Sequence, residues 1–121
     1  MRLARWIYRV AAIYGVIVTL PGFFLEAKVS PPPNHPEQYY GFLGVVLAWQ
    51  VAFWVIASDP ARYRPLMPVT WVEKIIFAVA AMVLFYQDRV DWAVLTVGCI
   101  DAVLCGAFVA AWIVTKPETS R

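Results

Sequence analysis

Asp101 is the only charged residue between Trp92 and Thr115 of the 121-residue chain. A carboxyl inside an apolar run can bind a ligand, carry a proton, or join helices by a hydrogen bond. Exposing its charge to lipid near a helix centre costs roughly 2.5–3.5 kcal/mol on insertion scales, so the side chain is expected to face protein. Gln50 and Tyr14 lie at similar depth in other apolar runs and are its expected partners. Lys74 is the alternative, but it starts near a boundary and has to reach inward. Glu73 closes the pattern Thr70–x–x–Glu73, which reads as a capping box at a helix start. Asp101, Gln50, Tyr14 and Glu73 are therefore the candidate ligand-binding residues, with helix packing and capping as the competing roles. His35, beside Pro36, reads as solvated or capping. Cys99 and Cys105 are six apart on one helix, with α-carbons about 9 Å apart at a rise of 1.5 Å per residue, beyond disulfide reach. Both read as small packing residues. One His and two Cys suggest neither a metal nor a haem site, and no cofactor is expected.

The elements that must position these residues are set by hydropathy. Hydrophobic residues make up 62% of the chain, more than a domain of this size can bury in water. Lipid is the natural solvent for the excess. About 20 apolar residues cross a bilayer core of about 30 Å. Four segments qualify, at roughly 6–25, 39–57, 69–87 and 91–115. The third is the weakest, because Glu73 and Lys74 lie inside it, and Lys74 is expected to snorkel to the boundary. The fold class is all-α, an antiparallel four-helix transmembrane bundle forming a single domain over residues 1–121.

Arg2, Arg5, Arg9, Arg62, Arg64, Lys74, Lys116 and Arg121 fall on one side of these spans, against Lys28 and Arg89 on the other. The positive-inside rule then puts both termini in the cytoplasm of a multi-pass inner-membrane protein. A net charge of +2 gives no sign of a nucleic-acid partner. The first segment has the basic start of a signal peptide, but no clear cleavage site follows Leu25, so it reads as a retained helix.

Pro21-Gly22 predicts a kink or early end of the first helix. VSPPPNHPEQ predicts an extended, stiff connection, and Pro36 suits the first turn of the second helix. The short QDRVD connection predicts a tight hairpin of helices three and four. Trp6, Tyr8, Tyr39, Tyr40, Trp71, Tyr86, Trp92 and Trp112 read as interfacial aromatics. Small residues recur every fourth position at Gly98, Ala102, Gly106 and Ala110, at Gly44, Ala48 and Ala52, and at Ala11, Gly15 and Thr19. These ladders are expected to be the seams through which the helices pack, with a homodimer seam as the alternative.

PPPNHP, a Gly- and Ala-rich second helix, SDPARYRP, a lysine step into the third helix and an Asp in the fourth form a pattern from Pro31 to Trp112. It resembles a group of small bacterial four-helix inner-membrane proteins, distantly DoxX-like or EXPERA-like in architecture. The group brings no established biochemical role. EXPERA-like bundles use acidic residues in a membrane pocket to bind sterol-like ligands, and the resemblance implies Asp101 and Glu73 as the matching acids. Small multidrug transporters need an acid within the first helix, where none occurs before Glu26. Vitamin-K-reductase-like bundles need a CxxC, which is absent.

The reading that fits is a non-enzymatic membrane protein. It either binds a small hydrophobic ligand near Asp101 or serves as an accessory subunit of a membrane complex. The expected partners are membrane lipid, a hydrophobic small molecule, and a protein partner or second copy. A small proton-coupled transporter using Asp101 and an isomerase of an apolar substrate with Asp101 as acid are the alternatives.

Overall fold

The computed structural model describes residues 2–29 and 33–117. Pro31 and Pro32 of the expected stiff connection, and Arg121, lie outside the described residues. Four helices form, α1 (Arg2–Thr19), α2 (Pro36–Ser58), α3 (Met67–Tyr86) and α4 (Trp92–Val114). With flanking 3-10 turns, each hydrophobic stretch is 23 residues long and apolar enough to cross a membrane. That length reaches about 35 Å, more than a bilayer core needs. α1 ends at Thr19 and passes into a 3-10 turn over Leu20–Phe24, the early end expected of Pro21-Gly22. Pro36 opens α2 at its first position.

The helices form a ring in the order α2, α1, α4, α3. α1 packs along α2, α3 along α4, and α1 against α4 closes the two hairpins onto each other, while α2 and α3 barely approach. One edge of the ring is therefore open.

The tight core lies in the half of the bundle nearest the termini. Tyr8, Phe53, Ile56, Met67, Phe108 and Ala111 are fully buried there. The Tyr8 and Phe108 rings stack at 4.3 Å with Phe53 tilted against both. Tyr8 thus corrects the interfacial assignment: it is a core residue with no exposed surface. The helix ends in this half are closed by arginines. Arg5 Nε donates to Ala57 O at the end of α2, and Arg64 donates through two nitrogens to Trp112 O at the end of α4. Cations there satisfy free carbonyls and oppose the negative end of each helix dipole. At the other end, Tyr39 donates to Gly22 O and Tyr40 to Glu26. QDRVD turns through Asp88, whose φ of 59° is left-handed. Arg89 N bonds to Leu84 O behind it. Asp91 caps α4 by accepting from Val94 N. The left-handed backbone at Asp88 suits its residue type, since Asp is among the few residues other than Gly that tolerate it.

The small-residue ladders need correction. On α1 the buried stripe is Ala4, Tyr8, Ala11, Ala12, Gly15 and Thr19, so Ala11, Gly15 and Thr19 do lie in the seam. On α4 the buried stripe is Gly98, Asp101, Phe108, Ala111 and Thr115. Gly106 is exposed, with nothing within 4 Å of a Cβ built on it, and the same holds for Gly44. Ala48 also faces outward. Both faces of a helix in lipid are apolar, so four-residue spacing alone does not reveal which stripe turns inward. Gly98 is where two backbones meet closely, because a Cβ there would lie 2.6 Å from Ala81 Cβ. Gly98→Leu should therefore cost about 1–3 kcal/mol from overpacking, and Gly106→Leu should be close to neutral. Thermal unfolding of the two variants in mild detergent checks this. A Gly106 variant as unstable as the Gly98 variant would reject the seam.

Candidate functional site

The open edge between α2 and α3 leads into a cavity of about 430 Å³. This lies within the usual range for small-molecule sites, roughly 300–1,000 Å³. All four helices contribute to it. Its mouth is flanked by Phe42 and Val45 of α2 and by Ile76 and Ala80 of α3, all exposed. Its walls include Val18, Leu43, Val46, Phe77 and Val97.

All the charged lining residues, with Tyr14 and Gln50, cluster at one end, while Thr19 lines the other. α1 and α3 run away from the termini, and α2 and α4 run toward them. Tyr14, Gln50, Glu73, Lys74 and Asp101 are each at or next to the termini-side limit of their helix's lining stretch. They form a floor resting on the aromatic core, near mid-span: Asp101 is nine residues into α4, about 14 Å along the axis. The cavity thus has apolar walls above a polar floor and opens sideways between α2 and α3.

All four candidate residues therefore line one cavity, but their expected partnerships are corrected. Asp101 pairs with Lys74, whose Nζ lies 3.4 Å from Oδ1. α3 starts at Met67, not near Val69, so Lys74 is two turns inside the helix and buried. It turns inward instead of snorkelling, because Asp101 offers an opposite charge within reach. Glu73 is no cap, since no side chain caps the start of α3. Its Oε2 lies 3.7 Å from the same Lys74 Nζ, too far for a hydrogen bond. Thr70, the other half of the supposed capping box, donates to Met67 O at 2.6 Å and meets Tyr8 OH at 2.9 Å. Gln50 does not reach Asp101, and its Nε2 donates to Val46 O within its own helix. The Gln50 carbonyl packs against Gly15, where any Cβ would overlap it. Gly15 is thus required by close approach and not by backbone conformation.

Lys74 is the site residue that the sequence offers only as the alternative partner of Asp101. Its signal is chain position, since seven residues separate it from the helix start at Met67. Three floor atoms are buried with no hydrogen-bond partner among the described residues: Tyr14 OH, Gln50 Oε1 and Glu73 Oε2. Buried polar atoms are nearly always paired, so three orphans at one cavity floor leave unused hydrogen-bonding capacity there. Cys105 approaches Trp71 O at 3.7 Å, and Cys99 is exposed. His35 is exposed, 3.4 Å from Glu37, and provides no side-chain cap to α2. No group of His, Cys, Asp or Glu with metal-holding geometry occurs among the described residues.

No family model matches the chain, and no curated protein or solved structure matches it at a significant level.

Proposed function

We propose that this chain is a non-enzymatic integral membrane protein that binds a small hydrophobic ligand in the cleft between α2 and α3. The ligand's apolar body lies against the walls, and its polar end meets the floor formed with Asp101, Gln50, Tyr14 and Glu73. The observation that carries this reading is the coincidence of the cavity with three buried, unpartnered polar atoms. An accessory subunit needs no such cavity. The chain resides in the bacterial inner membrane with both termini cytoplasmic. This is supported by Arg2, Arg5, Arg9, Arg62, Arg64 and Lys116, which belong to the termini-side ends of the four helices.

Native mass spectrometry from mild detergent tests the reading. Wild type should retain a small hydrophobic molecule on each protomer. Ala80→Trp, at the mouth, should lose it with the fold intact, whereas Ala48→Trp, on the outward face of α2, should keep it. A wild type without retained ligand, or an Ala80→Trp variant that keeps it fully, would reject the cleft as the site.

A further inference from the structure

The floor has one more carboxyl than it has cations. Glu73 and Asp101 share one cation, Lys74, at 3.7 and 3.4 Å, and no other charged residue among the described ones lines the cavity. With all three ionised, the floor carries one surplus negative charge. An uncompensated charge in a low-dielectric site is costly, so the site favours what neutralises it, either a proton on Glu73 or a cationic group brought by a ligand. The orphaned atoms agree in sign. Gln50 Oε1 and Glu73 Oε2 only accept hydrogen bonds from a partner, and Tyr14 OH can do either. Gln50 Nε2, the one amide nitrogen on the floor, already gives one of its two N–H groups to Val46 O.

Building on the cleft reading above, we propose that the ligand is a compact apolar molecule bearing a protonated amine, whose ammonium group sits among Glu73, Gln50 and Tyr14. An ammonium carries one positive charge and up to three donors, which answers both the surplus and the orphaned acceptors. Short side-chain rotations of Glu73 and Tyr14 bring their oxygens onto it. A hydroxyl supplies one donor and no charge. A carboxylate adds a second surplus negative charge and finds only Lys74, already held between two carboxylates. The Lys74–Asp101 pair then acts as the fixed neutral part of the floor, and Glu73 as the counter-ion of the ligand.

Three rigid probes of one shape test this: adamantylamine, adamantanol and adamantanecarboxylate. Each is titrated calorimetrically at neutral pH into the protein in phosphatidylcholine nanodiscs, with empty discs subtracted. Adamantylamine should bind at least about tenfold tighter than adamantanol, the scale of one charge-assisted hydrogen bond, with the carboxylate weakest. Glu73→Gln should bring the amine-to-alcohol preference down to within about threefold, because the floor becomes neutral. Glu37→Gln, an exposed carboxylate outside the cleft, should keep the full preference. If the alcohol or the carboxylate binds as tightly as the amine, the cleft is a binding site but the amine assignment is overturned. A preference that survives Glu73→Gln overturns it as well. If none of the three probes binds, the cleft reading itself fails and the amine assignment falls with it.

Discussion

Lys74→Met should be among the most damaging single substitutions in the chain, costing about 3–5 kcal/mol, the usual penalty for leaving the partner of a buried ion pair uncompensated. Lys74 is 4% exposed and is the only cation among the described residues near both Asp101 and Glu73. Removing it leaves two carboxylates at mid-span with no positive charge between them. Met retains length and packing against Phe53, whose ring centre lies 5.3 Å from Nζ, so the loss reports charge and not volume. Asp101→Asn should cost far less, because an amide oxygen still accepts from Lys74 and Glu73 still neutralises it. The decisive measurement adds Glu73→Gln and Asp101→Asn to Lys74→Met. The triple variant should regain most of the lost stability in mild-detergent unfolding, since no buried charge remains. Recovery that fails to appear, or a Lys74→Met variant no worse than Asp101→Asn, would show that the pair is not what holds this part of the bundle.

The spans were legible because lipid demands long apolar runs, and Pro21, Pro36 and the QDRVD turn marked where they break. The inward face of Asp101 was legible for the same reason, since a carboxyl has no place against lipid. Its partner was legible only as the alternative, Lys74, behind Gln50 and Tyr14. Placing the start of the third helix near Val69 put Lys74 beside the boundary, where snorkelling is the natural expectation. A start at Met67 moves it about half a turn deeper, and the opposite charge on α4 then decides its direction. The packing faces were least legible. Gly44, Ala48 and Gly106 have the spacing of a seam, yet they face outward. In water, polarity would have marked that face, whereas in lipid it carries no mark. Tyr8 was misread through the same ambiguity, because an aromatic near a helix end suits both an interfacial belt and a core. The stripe Ala4, Tyr8, Ala11, Gly15 and Thr19 contained the answer, because small residues above and below Tyr8 make room for neighbouring helices.

Tyr8→Ala should unfold the bundle most readily from the aromatic side, with a cost of about 3–5 kcal/mol on the scale for truncating a buried aromatic. One ring connects all four helices here: it stacks on Phe108 of α4, leans on Phe53 of α2, and bonds to Thr70 of α3. Lipid cannot refill the void, because the site has no exposed surface. The hydroxyl matters less than the ring, and its direction can be worked out. Thr70 has a single proton, which goes to Met67 O at 2.6 Å, so Tyr8 must donate to Thr70. Tyr8→Phe therefore removes a donor and leaves Thr70 still bonded to Met67, at about 0.5–1.5 kcal/mol. Thr70→Val removes the acceptor and strands the Tyr8 hydroxyl inside the core, at about 1–3 kcal/mol. Combining Tyr8→Phe with Thr70→Val should be milder than Thr70→Val alone, since no polar group is then left unpaired. Unfolding midpoints of the four variants in one detergent read out the order. A Thr70→Val variant milder than Tyr8→Phe would reverse the donor assignment, and a Tyr8→Ala variant no worse than Tyr8→Phe would remove the ring from its place at the centre of the core.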